Sequence, residues 1–342
     1  MSNAFEIYRQ LPLAFYLGCT ALLGVIFGSF ANVLIWRLPR KESIMKPDSH
    51  CPHCNKPIHW YDNIPLLSYL ILRGKCRSCH KHISFRYPLV ELIVALVSIW
   101  GVAVWQGDPT RQILAIVLSP ILIALALIDI ESMELPDSLI TVIGVCGVVA
   151  VPFEAGKDYL TEMGVLLGTI IVLALLWRWA FGGEMTPEEE AEAERAEPTI
   201  KERFLWGGGS FAFGLLMLCG GFFASFRIEG WNALWGLLVG GGGLLCLWGL
   251  FLFLQGREAI GLGDVKLMAA LGIITGPGRI LIAYVIGAIL GIFIWVILRF
   301  AKKQGTDQPF PFGPALISGA WVAWMHGEQF LHWYMGLIFS GK

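Results

Sequence analysis

Long apolar runs alternate with short polar interruptions along this chain. Ten runs stand out, at residues 11–36, 88–106, 112–128, 138–153, 160–181, 207–226, 232–255, 264–275, 279–300 and 313–326. Several reach the roughly 18–20 residues that carry a helix across a bilayer; the fourth, eighth and tenth are shorter. The pattern predicts an all-α polytopic membrane protein with a small polar domain between its first and second helices. The tail Glu328–Lys342 mixes aromatic and charged residues and is expected at the membrane interface. Two interruptions are long. The first is the loop Arg37–Tyr87. The second is Gly183–Phe204, whose acidic stretch from Thr186 to Arg195 cannot bury an apolar face and reads as an exposed helix or a solvated linker.

Composition supports this: 56% of residues are hydrophobic and 15% charged, which excludes an ordinary soluble domain. The net charge of −1 decides nothing, but its distribution does. With the N-terminus outside, 19 of the 25 Lys and Arg residues fall in cytoplasmic segments, the side that basic loops prefer. The first run is too long for a signal-peptide core and lacks an A-x-A site, so it is expected to stay as a membrane helix. In this topology the third and seventh runs both end inside. Asp129 and Asp264 then lie at the same face although 135 positions apart.

Eight cysteines divide into two groups. Cys19, Cys146, Cys219 and Cys246 are isolated within apolar runs and read as packing residues. Cys51, Cys54, Cys76 and Cys79 form two C-x-x-C pairs, with 21 residues between the pairs. That is the spacing of a four-cysteine zinc knuckle. Four thiolates fill a tetrahedral shell and leave no position for water, so the ion is structural rather than catalytic. A redox dithiol is the weaker reading, and a cytoplasmic loop argues against disulfides.

Candidate chemistry sits where charge meets the apolar runs, because an ionisable group beside lipid is costly. Gly261-Leu-Gly263-Asp264-Val-Lys266 opens the eighth run, and Asp129 closes the third, just before Leu135-Pro136-Asp137. The glycines permit a sharp turn and close approach of a substrate chain. Two carboxylates sharing a proton can activate water and protonate a leaving amine. The helix dipoles favour Asp264 as base and Asp129 as acid. Either acid alone could simply cap or salt-bridge a helix end. Lys266 is two positions from Asp264 and cannot share its helix face; it is expected to hold an interfacial group or tune the local field. Asp137 is expected to cap the fourth span, and Glu91 to pair with Arg86. Glu131 and Glu134 read as solvated loop acids. Gly236–Gly243, and Gly287 with Gly291, read as helix packing rather than a phosphate loop.

These residues together resemble the type IV prepilin peptidases, the leader peptidase/N-methyltransferase enzymes. The similarity covers Gly28–Pro39, both cysteine pairs, Trp60–Pro65, Arg86–Glu91, Leu127–Asp129, Leu135–Asp137, Gly261–Lys266 and Pro311–Pro314. The resemblance implies an intramembrane aspartyl protease with Asp129 and Asp264 as its catalytic pair, supported by Gly261, Gly263, Lys266, Pro136, Asp137 and Glu91. It implies cleavage after a glycine at the cytoplasmic face of the bacterial inner membrane. The substrates would be type IV prepilins or type II secretion pseudopilins, the lipid bilayer is the surrounding partner, and no nucleic acid is involved. It also implies N-methylation with S-adenosylmethionine, although no G-x-G-x-x-G follows a strand here and no cofactor residues can be named. The aspartates are about twice as far apart in sequence as is usual in the family. The surplus reads as an inserted helix pair with an acidic linker, at 155–228. The expected partition is then a first membrane helix at 1–36, a zinc domain at 37–87, helices carrying the first aspartate at 88–154, the insertion, and helices carrying the G-x-G-D motif at 229–342. A peptidase without methylation, a proton-coupled transporter using the acid pair, a non-enzymatic scaffold, and another G-x-G-D intramembrane protease with different substrates, against which the tetracysteine loop argues, are the rival readings.

Overall fold

A computed structural model describes residues 12–46, 48–154, 203–225, 232–256, 260–302 and 310–339. The chain divides into two compact units, Met1–Pro136 and Asp137–Lys342. Every regular element among the described residues is helical, apart from two isolated β-bridges in the loop.

The first unit holds α1 (Leu13–Arg37), a 3-10 turn (Trp60–Asp62), the short α2 (Leu67–Ile71), α3 (Arg86–Val104) and α4 (Pro109–Ser132). Helices α1, α3 and α4 are long and apolar enough to cross a membrane. Small residues allow α1 and α3 to touch backbone to backbone. A Cβ at Gly24 would stand 2.6 Å from Ala95 Cα, and one at Gly28 would stand 2.6 Å from Glu91 Cα. Moving forward one turn on α1 moves back one turn on α3, so the two helices run antiparallel. The Ser98 and Ser119 hydroxyls join α3 to α4, and the Gln112 amide donates to Val102 O at 3.2 Å. Such bonds matter in lipid, where water cannot satisfy the groups.

The second unit holds α5 (Asp137–Glu154), a π turn (Arg203–Gly208), α6 (Gly209–Ser225), α7 (Asn232–Gln255), α8 (Leu262–Thr275), α9 (Pro277–Lys302) and α10 (Gly313–Phe339). Helix α7 and the stretch Pro277–Ile297 of α9 are long and apolar enough to span. Helix α7 is the hub, and its glycines explain why. Gly236 and Gly240 lie on the backbone of α8 at Gly272 and Met268. Gly242 lies on α6 at Leu218, and Gly243 faces the Tyr284 ring of α9. The Tyr284 hydroxyl donates to Gly240 O. Gly287 meets α10 at Leu316, and Gly291 meets the Phe312 ring just before α10. The glycine runs therefore serve close helix packing, as expected.

Nine of the ten expected spans coincide with helices; the fifth, 160–181, lies outside the described residues, as do the acidic stretch and most of the segment 155–228. The C-terminal region corrects the sequence reading. Helix α10 does not end near residue 326 but continues to Phe339. Glu328, which breaks the apolar run, is paired with Arg279 of α9, and glutamate is itself a good helix former. Of the four cysteines read as packing residues, Cys246 is buried and Cys146 partly so, whereas Cys19 and Cys219 face outward.

Candidate active site and metal centre

The loop between α1 and α3 is built from two matching knuckles. In the first, Cys51 N–H donates to Lys56 O at 3.0 Å and Asn55 N–H to Cys51 O at 2.8 Å; in the second, Cys76 N–H donates to Lys81 O and His80 N–H to Cys76 O, both at 2.9 Å. Asn55 and His80, each just after the second cysteine of its pair, turn the chain with φ of 54° and 57°, a left-handed conformation that Asn and His adopt more readily than most residues. The bridges His50–Pro57 and Lys75–His82 close the two hairpins. All four cysteines are free thiols, and their Sγ atoms lie within 4.8 Å of one another. Cys51 and Cys79 Sγ are 3.9 Å apart. A tetrahedron of Zn–S bonds of about 2.3 Å has an edge of about 3.8 Å, so the donor set fits a metal ion. The Cys79 and Ser78 backbone N–H groups pull the Cys76 thiol down to about 7. Cys79 is favoured as thiolate by the Lys81 N–H, but desolvation and its three thiol neighbours prevail and push it up to about 11.

The Trp60-Tyr61-Asp62 turn is fastened to the second knuckle. Arg77, between Cys76 and Cys79, donates twice to Asp62, at 2.7 and 2.6 Å. This pairing holds the Asp62 carboxyl below its usual range. The Ser68 hydroxyl of α2 donates to Tyr61 O at 3.0 Å and accepts from Ile64 N–H at 2.9 Å. Leu66, just before α2, has φ 60° and ψ −48°. Leu67 N–H bonds Pro65 O across it at 2.6 Å. This is a strained γ-turn, which a β-carbon resists.

Glu91 is not paired with Arg86 as expected. Its Oε2 accepts from Leu66 N–H at 2.7 Å, and Arg86 instead meets Glu131 at 2.6 Å. Glu131 is thus exposed but engaged, whereas Glu134 is simply exposed. The sequence carried no signal for the first contact, because the acceptor partner is a backbone group whose position depends on the γ-turn.

Asp129 is buried in the last turn of α4. The helix continues three residues past it and closes when Met133, at φ 55°, donates its N–H to Asp129 O at 2.9 Å. Asp264 is buried in the first turn of α8, which starts after Gly261 in extended backbone at φ −69°. Asp264 N–H donates to Gly261 O at 3.1 Å, and its Oδ2 lies 3.6 Å from where a Gly261 Cβ would stand. Asp129 belongs to the first unit and Asp264 to the second. Within the second unit, Lys266 Nζ contacts both oxygens of Asp137 at 2.9 Å. Asp137 is the first residue of α5, so this pair ties the start of α5 to the start of α8. Pro136, immediately before it, is half-buried.

Residues 22–106 match the bacterial peptidase A24 N-terminal domain, and residues 116–209 match the type IV leader peptidase family. The chain is 33% identical to a prepilin leader peptidase/N-methyltransferase of Stutzerimonas stutzeri, over 96% of this chain and 97% of that protein. A protein of the same name in Aeromonas hydrophila is 31% identical over 98% and 99%, and one in Pseudomonas aeruginosa is 33% identical over 95% and 94%. The chain belongs to the type IV leader peptidase family. No solved structure matches it. The leader peptidase match at 116–209 includes Asp129 and ends before Asp264, whose segment is covered by the near-full-length relatives. That match also runs into the segment read as an insertion.

Proposed function

We propose that this protein is an intramembrane aspartyl endopeptidase that removes the leader of type IV prepilins or type II secretion pseudopilins. Cleavage follows a glycine, at the cytoplasmic face of the inner membrane, and the same protein N-methylates the new terminus. The observation that carries this reading is the near-full-length similarity to relatives bearing both activities in their name. Two buried aspartates at helix ends supply groups suited to the hydrolysis.

In this reading Asp129 and Asp264 converge on the scissile peptide. Asp264, at the positive end of α8, is the carboxylate that takes a proton from water as the water oxygen attacks the carbonyl carbon. Asp129, at the negative end of α4, is the acid that gives its proton to the departing amine nitrogen as the C–N bond breaks. The glycines at 261 and 263 leave room for an extended substrate backbone. Lys266, held by Asp137, fixes the start of α8. The four cysteines bind zinc, which folds the loop and takes no part in hydrolysis. S-adenosylmethionine supplies the methyl group, and no residue of this chain is assigned to hold it.

Coexpression with a prepilin tests the proposal. Wild type should shorten the prepilin and add the mass of one methyl group to its new N-terminus. Asp129→Asn and Asp264→Asn should leave the leader in place. Full cleavage by both variants would refute the aspartyl mechanism.

A further inference from the structure

Helix α2 is built inside out for a segment in water. Its one polar side chain not aromatic in character, Ser68, points inward and is buried against Tyr61 and Ile64. Leu67, Leu70 and Ile71, spaced to share one helix face, point outward. Leu70 is 71% exposed, Ile71 65% and the adjoining Phe85 66%; the Tyr69 and Phe85 rings meet edge to face at 6.2 Å.

Hydrogen bonds tie α2 to the membrane helices. Leu66, immediately before α2, is bonded to Glu91 in the second turn of α3, about 7–8 Å from the helix start. Asn32, near the end of α1, bonds Tyr87 O in the first turn of α3 at 3.1 Å. Leu66, and with it the start of α2, is therefore tied to the start of α3, where α3 packs against the end of α1. The segment between α1 and α3 carries eight Lys or Arg residues and three Asp or Glu. It stays basic even after four thiolates outweigh a divalent ion. At the end of α1, the Arg40 guanidinium sits 3.7 Å over the Trp36 ring, an amphipathic pairing suited to a membrane interface.

We propose that α2 is a membrane-interface anchor for anionic lipid. Leu67, Leu70, Ile71 and Phe85 enter the leaflet from which α1 and α3 emerge, and the surrounding basic residues bind acidic headgroups. The Glu91–Leu66 bond and the γ-turn hold α2 at that depth. The anchor fixes the cysteine lobe against the bilayer instead of leaving it on a free loop. This inference does not depend on the aspartate pair.

The test places the photo-crosslinker p-benzoylphenylalanine at Leu70 of the full chain. The protein is reconstituted in nanodiscs of phosphatidylethanolamine and phosphatidylglycerol, with and without a prepilin peptide. The same substitution at Leu96, which is exposed on the span of α3, reports ordinary lipid contact. Position 70 should give lipid adducts at a yield like that of position 96, with phosphatidylglycerol enriched several-fold over its share of the lipid. Crosslinks to a second copy or to the prepilin, or no adduct while position 96 reacts, would overturn the anchor. Equal use of both lipids would overturn its anionic preference. Zinc content by mass spectrometry shows whether the lobe remains folded. If the Leu70 variant loses zinc, the same substitution at Phe85 gives the deciding measurement.

Discussion

Glu91 and Asp264 are equally buried, each 8% exposed near the start of an apolar helix with glycine close by, yet their surroundings differ. Against Glu91 the glycine serves packing: Gly28 brings α1 so close that any β-carbon would collide with the α3 backbone. The carboxylate itself accepts the N–H of a strained turn. Beside Asp264 the glycine leaves space, with ordinary contact distance where a β-carbon would stand and backbone that any residue could adopt. A buried acid closed in by backbone holds structure together. The glycine beside Asp264 closes nothing in, which suits the role proposed for that acid. Burial alone separates neither case.

The largest expected effect breaks this comparison if it fails. Asp264→Asn should lower leader cleavage by about a thousandfold or more, the scale of losing a general base. Glu91→Gln keeps an amide oxygen for Leu66 N–H and should stay within a few-fold of wild type. Initial rates on a prepilin in proteoliposomes provide the measurement, and equal loss in both variants would remove the distinction.

Removing the metal comes next. Cys51→Ser, or a strong chelator, should unfold the loop and abolish its protease resistance while the helices keep their far-ultraviolet circular dichroism. The glycines then sharpen the contrast. Gly28→Ala should cost about 1–3 kcal/mol of stability, since overpacking forces the backbones apart. Gly261→Ala should leave the melting temperature in detergent unchanged and lower only kcat/KM.

The smallest effect is expected at Asp62. Its depressed carboxyl pKa means that pairing with Arg77 stabilises the fold fully above the ordinary carboxylate pKa, and that this contribution is lost as pH falls through the depressed value. Asp62→Asn should therefore raise the rate of zinc release a few-fold at pH 7, and less at high salt because the Arg77 guanidinium is half-exposed. A release rate unchanged at low salt would show that the pairing does not support the knuckle.

Much of this architecture was readable from residue pattern because lipid imposes a simple rule: long apolar runs become helices. The tetracysteine spacing was equally legible, since two C-x-x-C turns can do little else so economically. The misses have a common cause. Glu91 pairs with a backbone group, Lys266 pairs with an acid 129 positions away, and Glu328 is neutralised by Arg279 on a neighbouring helix. Each partner is chosen by tertiary proximity, and one-dimensional pattern holds no record of it. The short α2 was missed because five residues carry too little periodicity to stand out beside the runs around it.

The glycine contacts of α7 carry a consequence for how this protein can diverge. Gly240 lies against the carbonyl of Met268, one helical turn beyond Asp264. A single methyl group there would wedge the helix that carries Asp264 out of register without touching Asp264 itself. Sequence change at that seam is constrained by the thickness of a hydrogen atom, and the aspartate inherits its address from a neighbour that has no side chain at all.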